Sequence, residues 1–152
     1  MVLLLASTLA LAQAPDPWVE RSFLIAASEK DFAAAVAKGA QLAEATGILF
    51  DLRGVGYDRS QRDHNGGLTL ARAACEDNGW DYPCYVPRGR WDSGAYITVE
   101  YSSAFEGFTP GLYVVIAASG DAATAKASLP AVRAAVPDAY VKTSKVYMGC
   151  MH

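Results

Sequence analysis

With 152 residues, of which 52% are hydrophobic and 19% charged, the chain can enclose one ordinary core but not two large independent ones. Thirteen lysines and arginines stand against sixteen acidic residues, a formal charge of −3, and the cations are scattered rather than clustered. That balance supplies no basic field for a phosphate backbone, so nucleic acid is not an expected partner.

Met1 to Ala14 is almost wholly apolar up to Pro15-Asp16-Pro17, too short for a bilayer span of roughly 20 residues. Ala10 and Ala12 fit an A-x-A cleavage site, so residues 1–12 read as a secretory signal that lacks a positive start, with a buried N-terminal helix as the alternative. No stable membrane span is expected after cleavage. Residues 13–20 read as a flexible lead into one domain, 21–152.

Ser22 to Ala27 alternates weakly, as a half-buried strand does, and Ser28 is placed to cap a helix over Asp31–Ala45. Phe32, Val36, Gly39 and Leu42 share one face of that helix, and Gly47 is suited to end it. Ile48 to Val55 follows as a strand with Ile48, Phe50 and Leu52 on one side and Asp51 and Arg53 on the other. Gly56 to Gly67 is polar and without period, a surface loop, and Leu68 to Glu76 reads as a short helix capped by Thr69. Tyr85–Trp91 and Ala95–Tyr101 flank Asp92-Ser93-Gly94, the composition of a hairpin. Leu112 to Ala118 is an apolar strand, and Ser119 and Asp121 can cap a helix over Ala122–Val136 in which Pro130 should force a kink or restart. Ala139 to Met148 is the last strand.

Ile25-Ala-Ala-Ser28 recurs as Ile116-Ala-Ala-Ser119, each time at the passage from strand to helix. The chain therefore reads as two β-α-β units, 21–55 and 111–148, around an insert, 56–110, that adds a hairpin. The expected class is α+β, with helices on one face of a mostly antiparallel sheet.

Export changes the meaning of the cysteines, because disulfides persist outside the cytosol. Cys75 and Cys84 flank a turn-forming stretch containing Asn78-Gly79 and Pro83, and a bridge between them is the first choice of three possible pairings. Cys150 is then the spare, unless it ties the last strand to the insert. Zinc is the weaker reading, since no C-x-x-C occurs and the histidines are His64 and His152.

Tyr113-Val-Val-Ile-Ala-Ala-Ser119, an alanine-rich helix and Pro137-Asp-Ala-Tyr-Val-Lys142 together resemble the SPOR domain, a small ferredoxin-like β-α-β-β-α-β module of bacterial cell-envelope proteins; Phe23-Leu-Ile-Ala-Ala-Ser28 matches the same opening less closely. The resemblance covers about half of the chain that remains after the signal. The family usually places a glutamine and a glycine in its first strand, where Val114-Val-Ile-Ala-Ala118 stands here. What the resemblance implies is binding of peptidoglycan glycan lacking stem peptides on the open sheet face, without a cofactor.

Trp80, Tyr82, Tyr85, Trp91, Tyr96, Tyr101, Phe105, Phe108 and Tyr113 crowd the middle of the chain. They serve either as a small core of the insert or as a stacking surface for sugar rings. Strand parity turns Ile97 and Val99 toward the helices and Tyr96, Thr98 and Glu100 away, and the same reasoning places Arg53 and Tyr113 on the open face. The candidate binding surface is Arg53, Trp91, Tyr96, Glu100 and Tyr113. His64, beside Asp63, has no nucleophile motif near it and reads as a solvated loop residue rather than a general base. The chain is expected to be no enzyme. Two functions follow: an envelope module that binds glycan, or a secreted protein that binds another protein, such as an inhibitor of a hydrolase, through the aromatic insert.

Overall fold

The computed structural model describes residues 12–151, so all but the last residue of the expected signal lies outside the described residues. The protein is α+β. In chain order it forms β1 (Trp18–Glu29), α1 (Phe32–Thr46), β2 (Gly56–Tyr57), β3 (Leu68–Thr69), α2 (Arg72–Asp77), β4 (Gly94–Tyr101), β5 (Tyr113–Gly120), α3 (Ala122–Ala127), α4 (Leu129–Ala135) and β6 (Tyr140–Tyr147). The main sheet has the order β4-β5-β1-β6 with every neighbour antiparallel, and β2 and β3 make a separate two-stranded sheet.

α1 forms where its period predicts, although Asp31, not Ser28, is the cap, its carboxylate accepting from Ala34 N at 3.0 Å. Gly47 ends the helix at φ 72°, the left-handed geometry that only glycine adopts freely. Pro130 divides the second helical stretch: α3 stops at Ala127 and α4 restarts with the proline in its first turn, where no backbone donor is needed. Ile25 and Ile116, the isoleucines of the repeated tetrapeptide, are register partners on β1 and β5 and both lie buried.

Several expectations are corrected. Ile48–Val55 is not a strand of the sheet; only Phe50 bridges Ile97, in parallel, with Ile97 N donating to Leu49 O at 2.7 Å and Asp51 N to Ile97 O at 2.9 Å. Ile48, Phe50 and Leu52 still pack against the helix-side core, which accounts for the alternation, but Arg53 turns the chain at φ 58°. The strand that completes the first β-α-β is β4. Residues 56–93 therefore lie between α1 and the next strand of the main sheet, not after a second strand has already formed. β4 pairs with β5 and not with Tyr85–Trp91, which is irregular. Thr69 lies in β3 instead of capping a helix, and β1 begins at Trp18, inside the segment read as flexible.

Two apolar layers result. Leu24, Val115, Ile97 and Val99 meet Ala35 and Leu42 of α1 and Val132 of α4 on the helix side. On the opposite face Phe23, Ile25, Val114 and Ile116 are covered by Phe105 and Phe108, so that face is not open. Burial of each such side chain contributes about 1.5–3 kcal/mol. Residues 85–92 cross the same face as a strap. Gly89 permits the approach: at φ 118° it lies so near the sheet that a Cβ would stand 2.8 Å from Phe23 Cζ.

Candidate functional site

The strap is held by a buried polar network. Glu100 Oε1 accepts from Arg53 Nη2 at 2.5 Å, from the Tyr85 hydroxyl at 2.9 Å and from Arg88 N at 2.9 Å. Arg88, fully buried, donates from Nε to Ser119 Oγ (2.8 Å), from Nη1 to Tyr96 O (2.6 Å) and Ile116 O (3.0 Å), and from Nη2 to Gly94 O (2.8 Å). Its guanidinium lies 3.6 Å from the centre of the Tyr96 ring, whose hydroxyl donates to Asp92 at 2.8 Å. Two guanidiniums thus face two carboxylates, Glu100 and Asp92, and the cluster carries no net charge.

Burial pulls Arg88 down to about 10. It acts on Arg53 in the same sense, but the charge and hydrogen bond of Glu100 outweigh it and Arg53 is raised. Tyr85 and Tyr96 are both pushed up, chiefly by burial. Glu100 Oε1, the Tyr85 and Tyr96 hydroxyls and the Arg88 side-chain nitrogens are all hydrogen-bonded within the cluster, whereas Arg53 Nε is buried without a partner. The arrangement locks the strap to the sheet.

Of the five residues proposed from the sequence, the fold brings Arg53, Tyr96 and Glu100 together in this network, on the face opposite the helices. Glu100 is only 1% exposed, covered by the strap rather than offered to a ligand. Trp91 stands beside them at the strap's end, 77% exposed. Tyr113 is on the other face: its ring packs against Phe32, Tyr57 and Tyr101, and its hydroxyl donates to Gly66 O. β5 is buried on both faces, so its sequence carries no alternation from which to assign that tyrosine.

The accessible feature on the strap side is a groove of about 200 Å³ lined by Trp18, Arg90, Phe105, Lys145, Tyr147 and Met151 among others. Trp18 and Tyr147 are cross-strand partners at the ends of β1 and β6, with ring centres 5.3 Å apart and planes inclined at 59°. They are 49% and 36% exposed. Arg90 donates to Gly149 O at 2.7 Å and lies 6.0 Å from the Tyr147 ring centre, which fixes a cation beside the aromatic pair. No carboxylate lines the groove. Such a site offers an apolar platform and two positive charges. Sequence reasoning missed it because Trp18 fell before the expected strand; the signal was there in an aromatic at the start of the first strand and another at the end of the last, which pair.

The cysteine assignment holds: Cys75 and Cys84 are bonded, their Cα atoms 5.8 Å apart, and Cys150 is free and exposed. The bridge joins α2 to the segment that leads into the strap. His64 is exposed, with no side-chain hydrogen bond at its turn. Among the described residues no group of three or more histidine, cysteine or acidic side chains is arranged to hold a metal, and no helix is long and apolar enough to cross a membrane. No protein family, curated protein or solved structure matches the chain.

Proposed function

We infer that the protein is an exported, non-enzymatic binding module of the bacterial cell envelope, and that it takes peptidoglycan glycan lacking stem peptides in the Trp18–Tyr147 groove. The observation that carries this reading is the groove's chemistry: an exposed aromatic pair flanked by Arg90 and Lys145 with no carboxylate among the lining residues. Aromatic faces accept the apolar faces of sugar rings, and glycan freed of its peptides exposes carboxylates that pair with arginine and lysine. The order β4-β5-β1-β6, with α1 and the α3–α4 pair in the two crossovers, supports a ferredoxin-like, SPOR-like double β-α-β. A disulfide agrees with a compartment outside the reducing cytosol. The face named by the resemblance is covered here, so the ligand is assigned to the groove at its margin. Retention of the mature protein on purified peptidoglycan, native against amidase-treated, tests the reading.

A second reading rests on Trp91, which is 77% exposed at the end of the strap. An anchor of that kind suits a protein partner, such as a hydrolase that the protein would inhibit. Recovery of an envelope protein whose capture is lost in Trp91→Ala would favour it.

A further inference from the structure

The two edges of the main sheet are finished differently. The outer edge of β4 is closed at its middle by Leu49–Asp51, through the two hydrogen bonds to Ile97. β6 pairs with β1 on its inner side over eight residues, from Tyr140 opposite Ile25 to Tyr147 opposite Trp18, without a bulge or a proline, and no described strand lies on its outer side. A regular, unpaired edge is a template for another strand.

The side chains of that edge state what kind of strand it fits. β6 carries Lys142 and Lys145 and no carboxylate. Glu20, opposite Lys145 on β1, makes no ion pair with it, and Lys142 lies 5.5 Å from the Phe108 ring centre without an acidic partner. Tyr140-Val-Lys-Thr-Ser-Lys-Val-Tyr147 also reads nearly the same in both directions. Residues directly opposite in an antiparallel pair of identical edges must be of one parity, so a second copy paired near the centre would set Lys142 against Ser144 and Lys145 against Val141, or Lys142 against Val146 and Lys145 against Thr143, and in neither register does a lysine meet a carboxylate. A second copy thus offers these lysines no counter-charge, whereas a strand of the opposite sign does.

We propose that β6 accepts an extended, acidic segment of a partner protein by antiparallel strand addition, with carboxylates opposite Lys142 and Lys145. This site is distinct from the glycan groove, with which it shares Lys145, Val146 and Tyr147 at one end of β6. The probe is the peptide acetyl-Thr-Val-Glu-Thr-Val-Glu-Val-Thr-amide, whose third and sixth residues fall opposite Lys145 and Lys142. Calorimetric titration into the mature protein at low salt should give a saturable one-to-one complex. The same peptide with lysine for both glutamates should bind the wild type at least about tenfold more weakly, and should bind the Lys142→Glu, Lys145→Glu variant better than the acidic peptide does. N-methylation of alternate amides, in either phase, should abolish binding in one phase, because strand pairing needs those donors and a groove does not. No saturable binding, equal affinity for the two charge forms, or full affinity of both N-methylated peptides would overturn the proposal. So would a concentration-dependent dimer that excludes the peptide. Glycan retention measured on the same preparation keeps failure of this site distinct from failure of the groove.

Discussion

Arg88 reaches from the strap to β4 and β5, and its hydrogen bonds end on three backbone carbonyls that have little access to water. Arg88→Met would keep the apolar stem but orphan those acceptors, and is expected to cost about 3–5 kcal/mol, read as a lower urea midpoint. Glu100→Gln removes the charge opposite Arg53 while preserving shape, with an expected loss of about 1.5–3 kcal/mol. The tyrosines set the alkaline limit. Tyr85 and Tyr96 have folded values above their unfolded ones, so their contribution is present below about pH 10 and is lost as pH rises beyond it. Arg88, whose folded value is lowered, acts in the opposite sense between about 10 and its unfolded value. With two tyrosines against one arginine, net stability should fall above pH 10. Tyr85→Phe, compared with wild type in melts across pH 8–11.5, should flatten that fall. At this scale the sequence was informative wherever one strand face was polar. Ile97 and Val99 do face the helices and Thr98 and Glu100 face away, whereas Tyr113, in a strand buried on both sides, gave no cue.

Helices and caps were legible because their signals are local: Gly47 and Pro130 act through their own backbone chemistry. Ile48–Val55 misled because alternation reports a buried side and an exposed side, not the hydrogen bonds of a sheet. Those residues alternate against the core while β4, some forty residues on, takes the strand position. The strap was not foreseen, since Tyr85–Trp91, which holds its anchor Arg88, reads as one strand of a hairpin, and nothing local shows that a charged residue in that run is buried against the sheet. Its dependence on Gly89 is testable. Gly89→Ala adds a Cβ 2.8 Å from Phe23 at an unfavourable φ and should cost about 2–4 kcal/mol, with increased exposure of Phe23 and Phe105 detected by dye binding. Loss of the Cys75–Cys84 bridge in a Cys75→Ser, Cys84→Ser variant should cost about 2–3 kcal/mol by chain entropy, seen as a lower denaturant midpoint than that of the oxidised wild type.

For the molecule as a whole, the class, the antiparallel sheet and the disulfide could be read from the residues, because repeat, period and turn composition all point to them. The surface could not, because what lies exposed depends on how the insertion folds back over the sheet. Three of the expected contact residues became the internal fastening of the strap, and the accessible aromatics proved to be those at the sheet's margin. Tyr113→Ala should therefore destabilise the fold rather than weaken binding selectively. The most direct test of the functional account is a co-sedimentation isotherm on amidase-treated peptidoglycan for the wild type and for Trp18→Ala and Tyr147→Ala, with folding checked by thermal melts. The account predicts saturable retention of the wild type, weaker retention on native peptidoglycan, and a loss in each variant of at least about 0.5–1.5 kcal/mol, the stacking contribution of one ring, with melting little changed. Retention that is absent in the wild type, or undiminished in both variants, would contradict it.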